Sequence, residues 1–177
     1  MTVAALRGHR PEALADLLER YGREIQGLAY LILRDRGAAE DVVVDTLLTA
    51  VERGDTLRRD DALRRWLLRI ATNRALALRR SQARVVTLAV VPDQRGRVLD
   101  EDQRLTLLSA IGRLAPRTRA AIVLHYYADL SVRDVAEALG TSENMVKTQL
   151  REALIHLRTA LDADPAIGFG AREVLHG

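Results

Sequence analysis

The chain has 177 residues, a formal net charge of +3, 3% aromatic residues and no cysteine. That length allows one ordinary domain or two small ones, and the missing thiols exclude disulfide frameworks, CxxC metal sites and cysteine nucleophiles. No apolar run reaches the roughly 18 residues of a membrane span, and no long apolar core follows the first N-terminal charges as it would in a secretory signal, so a soluble, cytoplasmic globular protein is expected.

The first periodic segment follows Pro11, a residue suited to the first turn of a helix. Leu14, Leu17, Leu18, Tyr21, Ile25, Leu28 and Ile32 recur at three- and four-residue steps and mark one apolar face. Asp35-Arg36-Gly37 reads as a turn. A second helix is expected from Ala38 to Arg53, with Val43, Leu47, Ala50 and Val51 inward and Glu40 and Asp41 in its first turn, where the helix dipole favours acids. Gly54 ends it, and a polar loop runs to Asp60.

A third helix is expected near Asp61, an acceptable N-cap. Leu63, Trp66, Leu67, Ile70 and Ala71 form its apolar face, and Arg64, Arg65, Arg69, Arg74, Arg79, Arg80 and Arg84 line much of the rest. Charge is concentrated here. Residues 1–56 carry 7 basic and 10 acidic side chains, residues 57–84 carry 9 and 2, and residues 85–177 carry 11 and 12. One short segment therefore holds all the excess positive charge, an electrostatic footprint for nucleic acid. Of the 27 basic residues only Lys147 is lysine. The arginine excess fits phosphate recognition and equally fits a GC-rich coding bias.

Residues 85–100 break the pattern and read as a flexible linker, with Pro92 to Gly96 loop-like. Helical periodicity returns at Asp102 with Leu105, Leu108, Ile111 and Leu114. Pro116 opens another helix carrying Ala120, Val123 and Leu124. Ser131-Val132-Arg133-Asp134 resembles a capping box, Val135, Ala136 and Leu139 form a short apolar face, and Gly140 is a left-handed stop. Thr141 or Ser142 caps a last helix with Val146, Leu150, Leu154, Leu157 and Leu161 inward. The reading is all-α: an N-terminal three-helix bundle (1–84), the linker, a four-helix unit (101–162) and a loose tail (163–177).

Two short helices joined by a glycine turn, the second with a polar outer face, form the helix-turn-helix pattern. Glu143, Asn144, Lys147, Thr148 and Arg151 lie on that face, where Lys147 and Arg151 suit phosphates or guanine edges and Asn144 and Thr148 suit bases. A solvated face on an ordinary hairpin accounts for the spacing equally well.

The residues carry a further resemblance. Asp129 to Val132, Val135 to Glu143 and Val146-Lys147 resemble the C-terminal helix-turn-helix of extracytoplasmic-function (ECF) RNA polymerase sigma factors. Ala39-Glu40-Asp41-Val42-Val43 resembles the polymerase-binding helix of that family, and Arg65 to Asn73 its promoter-melting helix. The resemblance spans roughly residues 10–162. It implies a polymerase-binding face at Asp41, Val44, Asp45 and Leu48. It implies −10 contacts at Arg64, Arg65, Trp66, Arg69, Asn73, Arg74 and Arg80, with Trp66 shaping the site by packing and the loop Gly54–Asp60 forming the base pocket. It implies −35 contacts at Ser142, Asn144, Lys147, Thr148 and Arg151. The implied partners are core RNA polymerase, through its β′ and β subunits, and promoter DNA, with surfaces that an anti-sigma factor is able to mask. Val44, Leu47, Val51, Ala77, Gln149 and Glu152 depart from the residues common in the family.

Nothing in the sequence points to catalysis, a metal or a cofactor. His9, His125, His156 and His176 are dispersed, none in a metal-ligand spacing, and His125 reads as a packed or half-buried helix residue. Two alternatives stay open: a dimeric helix-turn-helix regulator, and a sigma-like interaction protein without promoter-specific initiation.

Overall fold

The computed structural model describes residues 11–53, 62–82 and 101–162. Among them all regular structure is helical: α1 (Pro11–Leu33), α2 (Arg36–Arg53), α3 (Leu63–Gln82), α4 (Glu101–Arg113), α5 (Pro116–Ile122) running into a π-helical turn (Val123–Tyr127), α6 (Val132–Leu139) and α7 (Glu143–Asp162). The all-α expectation holds, three helices preceding four. The Asp61 cap, Arg84, the base-pocket loop Gly54–Asp60, the linker 85–100 and the tail 163–177 lie outside the described residues.

Helices α1, α2 and α3 pack against one another, and α7 receives α4, α5 and α6. Leu17, Ile25, Leu28 and Ile32 of α1 meet Val42 and Leu47 of α2 and Leu67, Leu68 and Ala71 of α3 in the interior. Burying each leucine, isoleucine or valine among them contributes about 1.5–3 kcal/mol. The periodicity overreaches at two places. Leu14 and Leu18 share the α1 stripe but are exposed, as is Leu154 on α7, where Ala153 takes the inward position.

The breaks between helices have local causes. Arg34 adopts a left-handed backbone (φ 62°), and its N–H donates to the Tyr30 carbonyl at 2.7 Å, closing α1. The Asp35 carboxylate then accepts from the Ala38 N–H at 3.0 Å. With Asp35 as cap, α2 begins at Arg36 rather than Ala38, so Glu40 and Asp41 fall beyond its first turn. Pro116 occupies the first turn of α5, as expected. Ser131 caps α6 by accepting from the Asp134 N–H at 3.1 Å, and its hydroxyl donates to the Asp134 carboxylate at 2.6 Å. Gly140 (φ 60°) ends α6 in a Schellman turn, with Thr141 N–H donating to Ala136 and Gly140 N–H to Glu137. Ser142, not Thr141, caps α7 by accepting from the Met145 N–H at 3.2 Å.

The two groups of helices do not stand apart. One contiguous apolar cluster runs through both. Helix α1 packs on α4, α5 and the π-helical turn, and α3 packs on α5 and α6.

Candidate functional site

Helix α7 buries Val146, Leu150, Ala153 and Leu157 and turns Ser142, Asn144, Lys147, Thr148 and Arg151 outward. The Thr148 hydroxyl donates to the Asn144 carbonyl at 3.0 Å, a bond within the helix, and the Ser142 hydroxyl is engaged as the cap. Helix α6 is braced behind α7. Arg117 of α5 donates to the last carbonyl of α6, that of Leu139, at 2.5 Å. Among the departures, Glu152 is exposed, whereas Gln149 turns partly inward with its carbonyl oxygen buried and unbonded among the described residues. Met145 is also exposed on this face, a residue that the stripe analysis did not single out.

Helix α3 shows a different economy. Arg64 forks onto Glu24 of α1 and donates to the Ala128 carbonyl at 2.7 Å. Arg65 lies 3.6 Å from Asp134 and Arg69 lies 3.5 Å from Glu137, both acids on α6. Arg79 donates to the Leu33 carbonyl at the end of α1, 3.1 Å away. Arg74 faces Asp45 of α2 at 3.7 Å. Asn73 and Arg80 are exposed. Trp66 is half-buried against the apolar cluster, which agrees with a packing role. The seven candidate −10 residues therefore share one helix, but three of their arginines already engage acids or carbonyls of the later helices.

On α2, Val44 is 56% and Leu48 47% exposed, with Asp41 exposed and Asp45 half-exposed beside them. Val43 and Val44 form one wall of an open groove whose other wall is Leu18 and Gly22 of α1. Leu18, at the exposed end of the α1 stripe, thus has a surface context: an open groove that also carries Glu40.

Arg119 is a buried charged residue that the sequence analysis did not single out. It is 1% exposed. Its guanidinium donates to the Ile32 carbonyl at 2.8 Å, the Leu114 carbonyl at 3.0 Å and the Gly112 carbonyl. The C-terminal ends of α1 and α4 therefore converge on one cation, and each helix end carries about half a negative charge. Burial, and then the neighbouring Arg79 and Arg34, lower its pKa to about 10. It remains charged at neutral pH. The π-helical turn lies just beyond it. There His125 bonds the Leu130 carbonyl through Nδ1 at 2.7 Å, and Tyr127 reaches Gly27 of α1. A Cβ on Gly27 would lie 1.9 Å from the Tyr127 hydroxyl.

Among the described residues no cluster of three or more potential metal ligands occurs, and no helix is long and apolar enough to cross a membrane. Comparison with known proteins gives the following. Residues 17–85 match Sigma-70 region 2, and residues 104–157 match Sigma-70, region 4. The chain is 31% identical over 151 residues to the ECF RNA polymerase sigma factor SigM of Mycobacterium tuberculosis, covering 84% of this chain and 77% of that protein. It is 34% identical over 159 residues to SigL of the same species, covering 83% and 84%. Its fold is similar to the sigma factor RpoE, solved in complex with the anti-sigma factor NepR from Bartonella quintana. The TM-score is 0.71 at 25% identity, over 85% of this chain and 96% of that one.

Proposed function

The chain belongs to the ECF RNA polymerase sigma factors, which direct core polymerase to promoters, and from that premise we propose how its surfaces divide the work. Residues 1–84 form the region 2 unit, residues 85–100 the linker, residues 101–162 the region 4 unit and residues 163–177 a tail. The outer face of α2, with Asp41, Val44, Asp45 and Leu48, docks on the β′ subunit of polymerase. Helix α3 takes the −10 element with Arg64, Arg65, Arg69, Asn73, Arg74 and Arg80, while Trp66 packs beneath them. The exposed face of α7, with Asn144, Lys147, Thr148 and Arg151, takes the −35 element. The hydroxyl of Ser142 serves this site through the cap it gives to α7. The chain works in the cytoplasm beside polymerase and contributes binding rather than bond chemistry.

The observation that carries this reading is the pairing of two dissimilar exposed faces on one frame. Helix α2 presents large apolar side chains between acids, and a contiguous exposed apolar patch with a charged rim is a protein-docking surface. Asn73, Arg74 and Arg80 of α3 and Asn144, Lys147 and Arg151 of α7 are exposed basic and amide groups of the kind that contact nucleic acid. A dimeric helix-turn-helix regulator has no use for the first face. Two modest DNA contacts on one tethered chain add up to a specific one, because the second is effectively intramolecular.

Reconstituted transcription with core polymerase tests the division. Val44→Asp with Leu48→Asp is expected to weaken the complex with core polymerase by about tenfold or more, since each desolvates a charge against an apolar partner. An unchanged affinity removes α2 as the docking face. A chain that binds polymerase but starts no promoter-specific transcript is an interaction protein instead.

A further inference from the structure

Three arginines gather at the C-terminal end of α1. Arg119 of α5 donates to the Ile32 carbonyl at 2.8 Å, and Arg79 of α3 donates to the Leu33 carbonyl at 3.1 Å. The next residue is Arg34, whose guanidinium lies over the Tyr30 ring, 5.5 Å from its centroid. Gly112 of α4 joins two of them. Its carbonyl accepts from Arg119, and a Cβ on it would lie 3.8 Å from the Arg34 Nε. The cluster draws its three cations from α5, α3 and the end of α1, so it exists only while these elements pack together.

No acid answers this charge. Among the described residues no ion pair joins Arg34, Arg79 or Arg119 to a carboxylate. Asp35 is the acid next in sequence, and its carboxylate is engaged by the Ala38 N–H at 3.0 Å. The ends of α1 and α4 supply about half a negative charge each, which leaves an excess of about two positive charges. Arg119 registers that excess, since after burial it is Arg79 and Arg34 that lower its pKa. Donors are also left over. The Nε of Arg119 and the Nη1 of Arg34 are buried and bonded to nothing among the described residues, and Arg119 as a whole is 1% exposed. Buried charged donors normally have partners. This cluster has the donors and the charge of a site that lacks its anion.

We propose that Arg34, Arg79 and Arg119 bind one small phosphate-bearing anion, held by the spare donors of Arg34 and Arg119 and by the charge of Arg79. A phosphate group carries about −1.5 to −2 at neutral pH, which matches the excess. Its oxygens accept from several directions, as forks from three elements require, whereas a carboxylate offers one plane and one charge. The cradle is recessed, with Arg119 buried and Arg34 and Arg79 half-buried. It therefore suits free phosphate or a small phosphate ester rather than a polynucleotide backbone. Because the anion bridges all three elements, its binding stabilises their packing by mass action.

Titration calorimetry of the full chain with inorganic phosphate, in phosphate-free buffer at constant ionic strength, tests the site. Saturable binding of one phosphate per chain is expected. Arg34→Gln and Arg79→Gln, on different helices, are each expected to weaken it about tenfold or more, the worth of one charge-assisted bond. Arg36→Gln removes the same charge two residues away, from an exposed arginine that faces Glu40, and is expected to leave the affinity unchanged. Phosphate is also expected to raise the wild-type Tm more than that of Arg34→Gln or Arg79→Gln, because its general salting-out effect acts on all three alike. Absence of saturable binding, or equal affinity in wild type, Arg34→Gln and Arg79→Gln, overturns the site. An equal loss in Arg36→Gln shows diffuse attraction and overturns it too. If Arg34→Gln weakens binding of a mixed-sequence single strand as much as it weakens phosphate, the anion is nucleic-acid backbone and the small-ligand assignment falls. Arg34, Arg79 and Arg119 lie outside the proposed promoter contacts, so those contacts stand whichever result is found.

Discussion

Helices α3 and α7 are the two elements we propose to face DNA, and they hold their charge in opposite ways. Helix α3 lies in the segment with all the excess positive charge, yet five of its arginines (Arg64, Arg65, Arg69, Arg74 and Arg79) make contacts to acids or carbonyls. Helix α7 belongs to a near-neutral block, yet Asn144, Lys147, Thr148 and Arg151 are all exposed. A count of charges along a sequence therefore measures what a segment owns rather than what it has free for a ligand. The near-neutral block looks too poor for a DNA reader, but its acids are not all on the reading face. Asp134 and Glu137 face α3 instead.

Arg119 marks one extreme of this comparison, a cation spent entirely inside the protein. Removing it orphans three carbonyls and leaves a void. Arg119→Ala is expected to lower stability by roughly 3 kcal/mol. For a chain of this size that is a fall of about 6–12 °C in Tm, measured by calorimetry. Arg119→Met, which fills the space without the charge, is expected to recover much of the loss, because a buried ion traded for a well-packed apolar group is often near neutral. A Tm within a degree of wild type for Arg119→Ala would show that the carbonyls are solvated and the site is no staple. Arg74 and Arg80 mark the other extreme. Replacing both with Gln is expected to leave the Tm unchanged, since exposed substitutions away from special features fall within about 0.5 kcal/mol. The same change is expected to reduce open-complex formation by about tenfold while sparing the polymerase complex. An equal loss of both activities would place these arginines on the polymerase side. Glutamine is the better choice over reversal at Arg74, because a carboxylate there would repel Asp45, 3.7 Å away.

Much of this architecture is legible in local sequence. The three-four spacing of Leu17, Ile25, Leu28 and Ile32, the Ser131 cap, Pro116 and Gly140 are short-range signals, and the helices follow them. What escapes is nonlocal. Leu14 and Leu18 continue the stripe but stay exposed at its edge, while Ala13 and Leu17 beside them are buried. Arg119 bonds Ile32 across 87 residues of sequence, and an arginine beside threonine and alanine gives no warning of burial. Its one clue is position: it stands four residues before Val123, on the apolar stripe of α5. Gln149 is similar: the sequence marks it only as a departure from the family's residues, and packing turns it partly inward. The unpaired or exposed status of each −10 and −35 candidate depends on neighbours that no window of one helix contains.

The smallest expected effect separates the two DNA-facing helices most cleanly. Lys147 is exposed on α7 and is the chain's one lysine. Lysine binds phosphate as a flexible point charge, whereas arginine presents a fixed fork that also suits guanine edges. Lys147→Ala is therefore expected to weaken duplex binding by about the same factor on every sequence, and to lower the salt slope by about one. Arg151→Ala, by contrast, is expected to lose discrimination at one base pair, by about 1–3 kcal/mol, if its fork meets a guanine. Binding assays on a cognate duplex and a scrambled one, each across a salt series, distinguish these two patterns. A sequence-dependent loss from Lys147→Ala would move that residue from the backbone to the base edges, and with it the register in which α7 lies in the groove.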